Sequence, residues 1–266
     1  MAGYDVDPHL LWLVPLLVAG GVACGLLNTL ASSGSAVSLP LMILVFGMTD
    51  SVANATNRLP VLVGAVMATY TFAKRGQMDW KAARVLVPAA VIGCILGVRT
   101  ERALSDPQIG ILIDVAVAMA LVLVLTKLKA ILVKRDDTPP TVPWWGVLLV
   151  AAVGFWLGLI VLDGATYLLL VLMLCFRYDL PQANALKNLL IAVTAFLPVL
   201  RFAHDGKIDW FEGSLMAVGS IIGSYFGVML SNAPGARTIA VRALIFVISL
   251  EIAQLVWRTA APYVTG

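Results

Sequence analysis

Long apolar runs govern what this chain can become. They recur from near residue 10 to near residue 258, at 10–30, 36–47, 51–73, 80–99, 107–126, 144–162, 167–176, 180–200, 211–230 and 238–258. A helix of about 20 apolar residues covers a hydrocarbon core of about 30 Å, because inside lipid every backbone N–H and C=O must find its partner within the protein. With 12% charged residues, against the ~25% usual in soluble domains, the chain has too little polar surface to hide its 61% hydrophobic residues from water. The expected fold class is an all-α polytopic membrane protein without a soluble domain.

The first nine residues carry Asp5 and Asp7 but no Lys or Arg. The positive n-region of a signal peptide is missing, so the run from Leu10 is expected to be a retained span. The net charge of +3 comes without a basic stripe, and nucleic acid is not expected as a partner. Cys24, Cys94 and Cys175 are far apart and odd in number in apolar surroundings, which suggests neither a disulfide framework nor a zinc site. His9 and His204 are the only histidines, and no HExxH, CxxC or Ser-His-Asp arrangement is present. No cofactor is expected, and a membrane-embedded enzyme ranks last among the function classes considered.

An internal duplication organises the rest. Ala53-Asn54-Ala55-Thr56-Asn57-Arg58 returns as Ala183-Asn184-Ala185-Leu186-Lys187-Asn188, and Gly76-Gln77-Met78-Asp79-Trp80 returns as Gly206-Lys207-Ile208-Asp209-Trp210. Gly93 and Gly97 return as Gly223 and Gly227, and Gly34 returns as Gly164, always at an offset of 130 positions. Chance does not place four such matches in register. The chain divides into repeats at 1–133 and 144–266, of about five helical segments each, joined by the polar linker 134–143, whose charges and three prolines cannot continue a membrane helix.

Residues 10–47 as one straight helix would be about 57 Å long, too long for one crossing. The stretch is either two crossings or a hairpin that dips in and returns. Both leave an odd number of crossings per repeat, so the second repeat should insert upside down, an architecture common among transporters. One side then collects Lys74, Arg75, Lys81, Arg84, Lys127, Lys129, Lys134, Arg135, Arg177, Arg237 and Arg242, while Arg99, Arg102, Arg201, Lys207 and Arg258 fall on the other. The richer side should be cytoplasmic, which places both termini outside.

Two cations remain inside spans, Arg58 and Lys187. An intramembrane charge costs about 3 kcal/mol on insertion scales and therefore marks a functional position by default. With Asn54, Asn57, Asn184 and Asn188, and with the polar breaks containing Ser33, Gly34, Asp163 and Gly164, they outline a pocket for a small hydrogen-bond-accepting anion. Helices starting at the breaks would aim free N–H groups at it. The alternative is that both cations snorkel to a surface or pair with Asp50 and Asp163. Asp114 and Glu251 are weaker candidates for carrying a coupling proton. The G-x-x-x-G pairs allow close helix contact, expected inside the bundle ahead of a homodimer seam. Trp80, Trp144, Trp145 and Trp210 sit at segment ends as interfacial anchors.

Taken in order, the duplicated small-residue break, the A-N-A-x-[NK] stretch, the G-x-[MI]-D-W turn and the G-x-x-x-G helix resemble the TauE/SafE sulfite exporter family, from about residue 14 to 258. The resemblance implies a secondary transporter of the bacterial inner membrane that exports sulfite or a related sulfur-containing anion. Thiosulfate, an organosulfonate and a sulfonated carboxylate are the alternative cargoes. It also implies that the polar centre falls on Ser33, Gly34, Asn54, Asn57, Arg58, Asp163, Gly164, Asn184 and Lys187. One departure stands out: Asp163 occupies the place of Ser33, and Leu170 that of Pro40, so the centre should be asymmetric.

Overall fold

The structure is a computed structural model that describes residues 8–101, 103–105, 107–112, 114–115, 119, 139–160, 164–236, 238–243, 245–246 and 249. Its helices are α1 (Pro8–Ala31), α2 (Ser35–Pro40, running into a single π turn at Leu41–Val45), α3 (Asp50–Thr56), α4 (Arg58–Lys74), α5 (Trp80–Glu101), α6 (Trp144–Leu159), α7 (Gly164–Leu174), α8 (Leu180–His204) and α9 (Trp210–Ser231). No strand occurs among the described residues. Trp12–Ala31, α5, α8 and α9 are each long and apolar enough to cross a bilayer. Large apolar side chains such as Ile92, Leu96, Ile222 and Phe226 are exposed on α5 and α9, which suits lipid rather than water. The chain is an all-α polytopic membrane protein. Much of the expected spans at 107–126 and 238–258, including Glu251, and most of the linker lie outside the described residues, as do Asp163, Arg102, Lys127, Lys129, Lys134, Arg135, Arg237 and Arg258.

In the first segment of each half the chain folds back on itself, and the returning pieces, Ser35–Val45 and Gly164–Leu174, are shorter than a full span. α2 folds back along α1: the Ser38 hydroxyl donates to Cys24 Sγ at 3.5 Å, Gly34 packs on the Cys24 carbonyl, and Leu41 reaches Gly20. In the same way α7 folds back along α6. Gly164 packs on Leu157 and Phe176 on Gly146, and Thr141 N–H donates to the Phe176 carbonyl at 3.0 Å, which closes the mouth of this hairpin. Both expected breaks are therefore hairpin tips.

Small residues set the packing of the hairpins on the long helices. A Cβ on Gly93 or Gly97 of α5 would strike the carbonyl of Ala151 or Phe155 in α6. The glycines 130 positions later, Gly223 and Gly227 of α9, meet Val22 and Leu26 of α1 in the same manner. In both pairs the helices run parallel. The G-x-x-x-G positions thus bring backbones together inside one chain, and each hairpin lies against a long helix from the other half of the sequence.

The repeated G-x-[MI]-D-W turn has a plain physical basis. Gly76 (φ 70°) and Gly206 (φ 67°) take the left-handed conformation just past α4 and α8. The next N–H in each turn bonds back, from Gln77 to the Phe72 carbonyl at 3.2 Å and from Lys207 to the Phe202 carbonyl at 3.0 Å, which satisfies otherwise orphaned carbonyls. The Asp then caps the following helix: Asp79 accepts from the N–H of Lys81 and Ala82, and Asp209 from that of Phe211. Trp80 and Trp210 follow at the helix start, both more than half exposed, and Trp144 and Trp145 are exposed at the start of α6, as expected of interfacial anchors.

Where the halves differ, a proline stands beside the difference. The expected span 51–73 is split at Asn57, because Pro60 has no N–H to donate to the Thr56 carbonyl and its ring crowds that carbonyl. The corresponding residue in the second half is Leu190, and α8 runs unbroken. Similarly the π turn follows Pro40, whereas Leu170 lies within the continuous α7.

Candidate functional site

The last turn of an α-helix leaves carbonyls without intrahelical donors, and inside a membrane no water compensates them. Here the C-terminal ends of α1 and α6 lie at the hairpin tips, and each is closed by a cation from the opposite half. Arg58 donates from Nη1 to the Leu157 carbonyl at 2.6 Å and from Nη2 to those of Gly158 and Leu159 at 3.2 and 3.3 Å. Asn54 adds a bond to the Leu159 carbonyl at 3.4 Å. Lys187 Nζ donates to the Asn28 and Thr29 carbonyls at 2.7 and 3.3 Å, to Ser32 Oγ at 3.0 Å and to Asn184 Oδ1 at 2.9 Å. Cations are favoured at helix C-termini by the aligned peptide dipoles as well as by these bonds.

Arg58 and Lys187 are 1% and 0% exposed, which overturns the snorkelling alternative. The ion pairs among the described residues, Arg201–Asp205 and Lys207–Glu101, leave both cations without a carboxylate partner there. Neither shares a bonded partner with the other.

The tips themselves meet. Ser33 Oγ lies 3.1 Å from Thr166 Oγ1, which donates to the Ser32 carbonyl at 3.1 Å. The hairpins run in opposite directions, since α1 is parallel to α9 and α6 to α5, while the start of α5 meets the end of α9 and the start of α9 the end of α5. The basic face holds the Gly76 turn, where Gln77 bonds Asn232 and the Tyr178 hydroxyl donates to Asp79. The other face holds the Gly206 turn, where Lys207 pairs with Glu101 at 3.4 Å.

Beside the cations lie polar atoms with no hydrogen-bond partner among the described residues. Both side-chain atoms of Asn57, Asn184 Nδ2, Asn188 Oδ1, Thr29 Oγ1 and Arg58 Nε are buried and unbonded. Such groups cost about 1–3 kcal/mol each when nothing pairs with them. A cavity of about 10 Å³ beside Arg58 is lined by Val61, Leu157, Ile191, Thr194 and Ala195. It has room for about one water molecule.

Of the expected site residues, Arg58 and Asn54 gather at the second hairpin tip, and Lys187 and Asn184 at the first. Asn188 donates to the Asn184 carbonyl one turn back at 2.8 Å. Ser33 stands at the contact between tips. Gly34 and Gly164 serve close packing within their hairpins. Residues absent from the sequence-based set are Asn28, Thr29, Ser32 and Thr166. Asn28 acts through a carbonyl, which no residue type announces. Ser32 adopts a left-handed φ of 64°, uncommon outside glycine, and the Lys187 bond holds it there; the run Ser32-Ser33-Gly34-Ser35 was the available signal.

The TauE/SafE sulfite exporter family matches residues 17–253 of the chain. Three curated relatives are probable membrane transporter proteins: one from Xylella fastidiosa (25% identical, covering 95% of this chain and 98% of the relative), ORF9 from Sinorhizobium (26%; 94% and 93%) and YfcA from Escherichia coli K12 (26%; 89% and 87%). No solved structure matches. A match spanning all but the ends, together with apolar helices throughout, means that this chain is a membrane transporter protein of the TauE/SafE sulfite exporter family.

Proposed function

We propose that the protein is a secondary transporter that exports sulfite, or a related small sulfur-containing anion, across the bacterial inner membrane by alternating access. The observation that carries this is the meeting of two oppositely inserted hairpins, tip to tip, beside two buried cations and several unpartnered amide groups. Broken helices whose ends converge at membrane depth are how transporters bind ions and anions at their centre. The paired glycine contacts and the reciprocal cation caps support an inverted two-fold relation between 1–133 and 144–266. The Lys and Arg distribution supports cytoplasmic exposure of the Gly76 turn and external termini.

In this mechanism the site residues are Ser33, Asn54, Asn57, Arg58, Asn184, Lys187 and Asn188, with Gly34, Asp163 and Gly164 at the breaks. Each hairpin forms a gate for its own side. Parting of the tips opens the centre to one face while the other hairpin stays packed on its long helix. The buried positive charge favours an anion in the dry centre.

The experiment is sulfite flux in proteoliposomes holding the purified chain, with and without an imposed proton gradient. Saturable flux above that of protein-free liposomes is expected, with competition by small sulfonates. Flux no greater than the protein-free control, for sulfite, thiosulfate and sulfonates alike, would overturn the proposal.

A further inference from the structure

The motif that carries the cations is used in opposite order by the two halves. In the first half the sequence reads Asn57-Arg58, and Arg58 caps α6. In the second it reads Lys187-Asn188, and Lys187 caps α1. One position of each pair is thus committed to a hairpin end, and the asparagine beside it is left over. Those two asparagines, both 0% exposed, carry the unbonded amide atoms. Asn57 lacks a partner for Nδ2 and for Oδ1, and Asn188 lacks one for Oδ1.

The chemical character of these vacant positions is fixed by their neighbours. Asn188 Nδ2 must face the Asn184 carbonyl, an acceptor, so the group it offers is the Oδ1 acceptor. Asn184 Oδ1 must face the Lys187 ammonium, a donor, so the group it offers is the Nδ2 donor. The two lie one turn apart on α8, and the same stripe continues through Ile191 and Ala195 to the cavity beside Arg58. An anion with acceptor oxygens alone satisfies Asn184 Nδ2, Asn57 Nδ2 and Arg58 Nε. It leaves Asn188 Oδ1 and Asn57 Oδ1 desolvated against negative charge.

We infer that Asn57 and Asn188 read the cargo and select a monoanion that brings its own hydrogen-bond donor, a protonated sulfur oxyanion or a hydroxy-sulfonate. The cations set the sign of the charge, and apart from Arg58 Nε their bonded donors are engaged by helix carbonyls, Ser32 and Asn184. The asparagines set which anion is accepted. A site with buried acceptors rejects an analogue lacking the matching donor, because its own groups then stay unpaired. This rests on the proposed transport site.

The test is binding to the purified full chain by thermal shift and by competition with sulfite flux. One arm compares 2-hydroxyethanesulfonate with ethanesulfonate, which differ by the donor. The other compares sulfite on the acid and alkaline sides of its second ionisation, with methanesulfonate as the control whose protonation does not change. The inference expects at least about tenfold preference for the hydroxylated sulfonate. It also expects sulfite to bind more tightly on the acid side after correction by methanesulfonate. Asn57→Leu and Asn188→Leu should each remove most of both preferences. Equal binding of the two sulfonates together with tighter binding of dianionic sulfite overturns the inference and leaves the transport site standing. Failure of every anion to bind the wild-type chain overturns the site itself. The wild-type comparisons stand on their own if either variant fails to fold.

Discussion

The two halves solve one problem with different residues in exchanged places. Each closes the carbonyl end of the other half's hairpin. The first half uses a guanidinium that forks across three carbonyls of α6, Leu157, Gly158 and Leu159. The second uses an ammonium that reaches two carbonyls of α1 and the hydroxyl of Ser32. Arginine's planar fork suits a row of carbonyls, and lysine's point charge suits a tighter cluster. The comparison teaches that a buried charge in this chain has a structural duty before any substrate arrives. A second difference follows the same line: the turn contact on the basic face is neutral, Gln77 with Asn232, whereas that on the opposite face is ionic, Lys207 with Glu101. Phe202 lies between that surface lysine (5.8 Å) and Arg58 (5.1 Å), so the ionic face is joined to the centre by one ring.

The largest effect is expected from breaking the caps. Arg58→Met removes the side-chain donor of the Leu157 and Gly158 carbonyls, and Lys187→Met that of the Thr29 carbonyl together with the bonds to Ser32 and Asn184; each should lower the unfolding free energy by about 2–3 kcal/mol. Chaotrope unfolding in detergent measures this. The double variant Asn57→Lys with Arg58→Asn, which copies the second half's order into the first, should recover most of that loss. If the double variant is no more stable than Arg58→Asn alone, the equivalence of the two caps is wrong.

A smaller difference is expected between the repeated turns. Partial burial pushes the Asp79 carboxyl up, but bonds from the Ala82 N–H, the Tyr178 hydroxyl and the Lys81 N–H outweigh it and hold it below the ordinary value. Asp209 accepts one N–H, from Phe211. Asp79→Ala should therefore cost about 1–2 kcal/mol and Asp209→Ala about 0.5–1 kcal/mol. Because the folded value of Asp79 is depressed, its contribution is fully present above the unfolded value and is lost as pH falls through the folded one. The stability gap between wild type and Asp79→Ala should narrow in acid, and an unchanged gap would remove the carboxylate from the account.

Much of this was legible beforehand. Apolar run length gave the fold class, and the offset of 130 positions located both tips and both cations, because a duplicated polar residue in an apolar segment has few other reasons to exist. For residues 10–47 the fold-back was common to both alternatives, since a stretch too long for one crossing must turn, but length alone does not say how deep the turn lies. The role of the cations was not legible. Their partners are backbone carbonyls about a hundred residues away or more, and a carbonyl looks the same in every sequence. The exchange of Asn-Arg for Lys-Asn was visible, but its meaning depended on knowing which member faces a helix end.

The central claim is that the hairpin tips touch in the closed protein and must part for cargo to cross. Ser33→Cys with Thr166→Cys, in a chain with Cys24, Cys94 and Cys175 replaced, places two thiols at the tip contact. Oxidation should cross-link the pair and stop flux of 2-hydroxyethanesulfonate, a cargo that leaves disulfides intact, in proteoliposomes, and a reductant should restore it. Full cross-linking with undiminished flux would contradict the account.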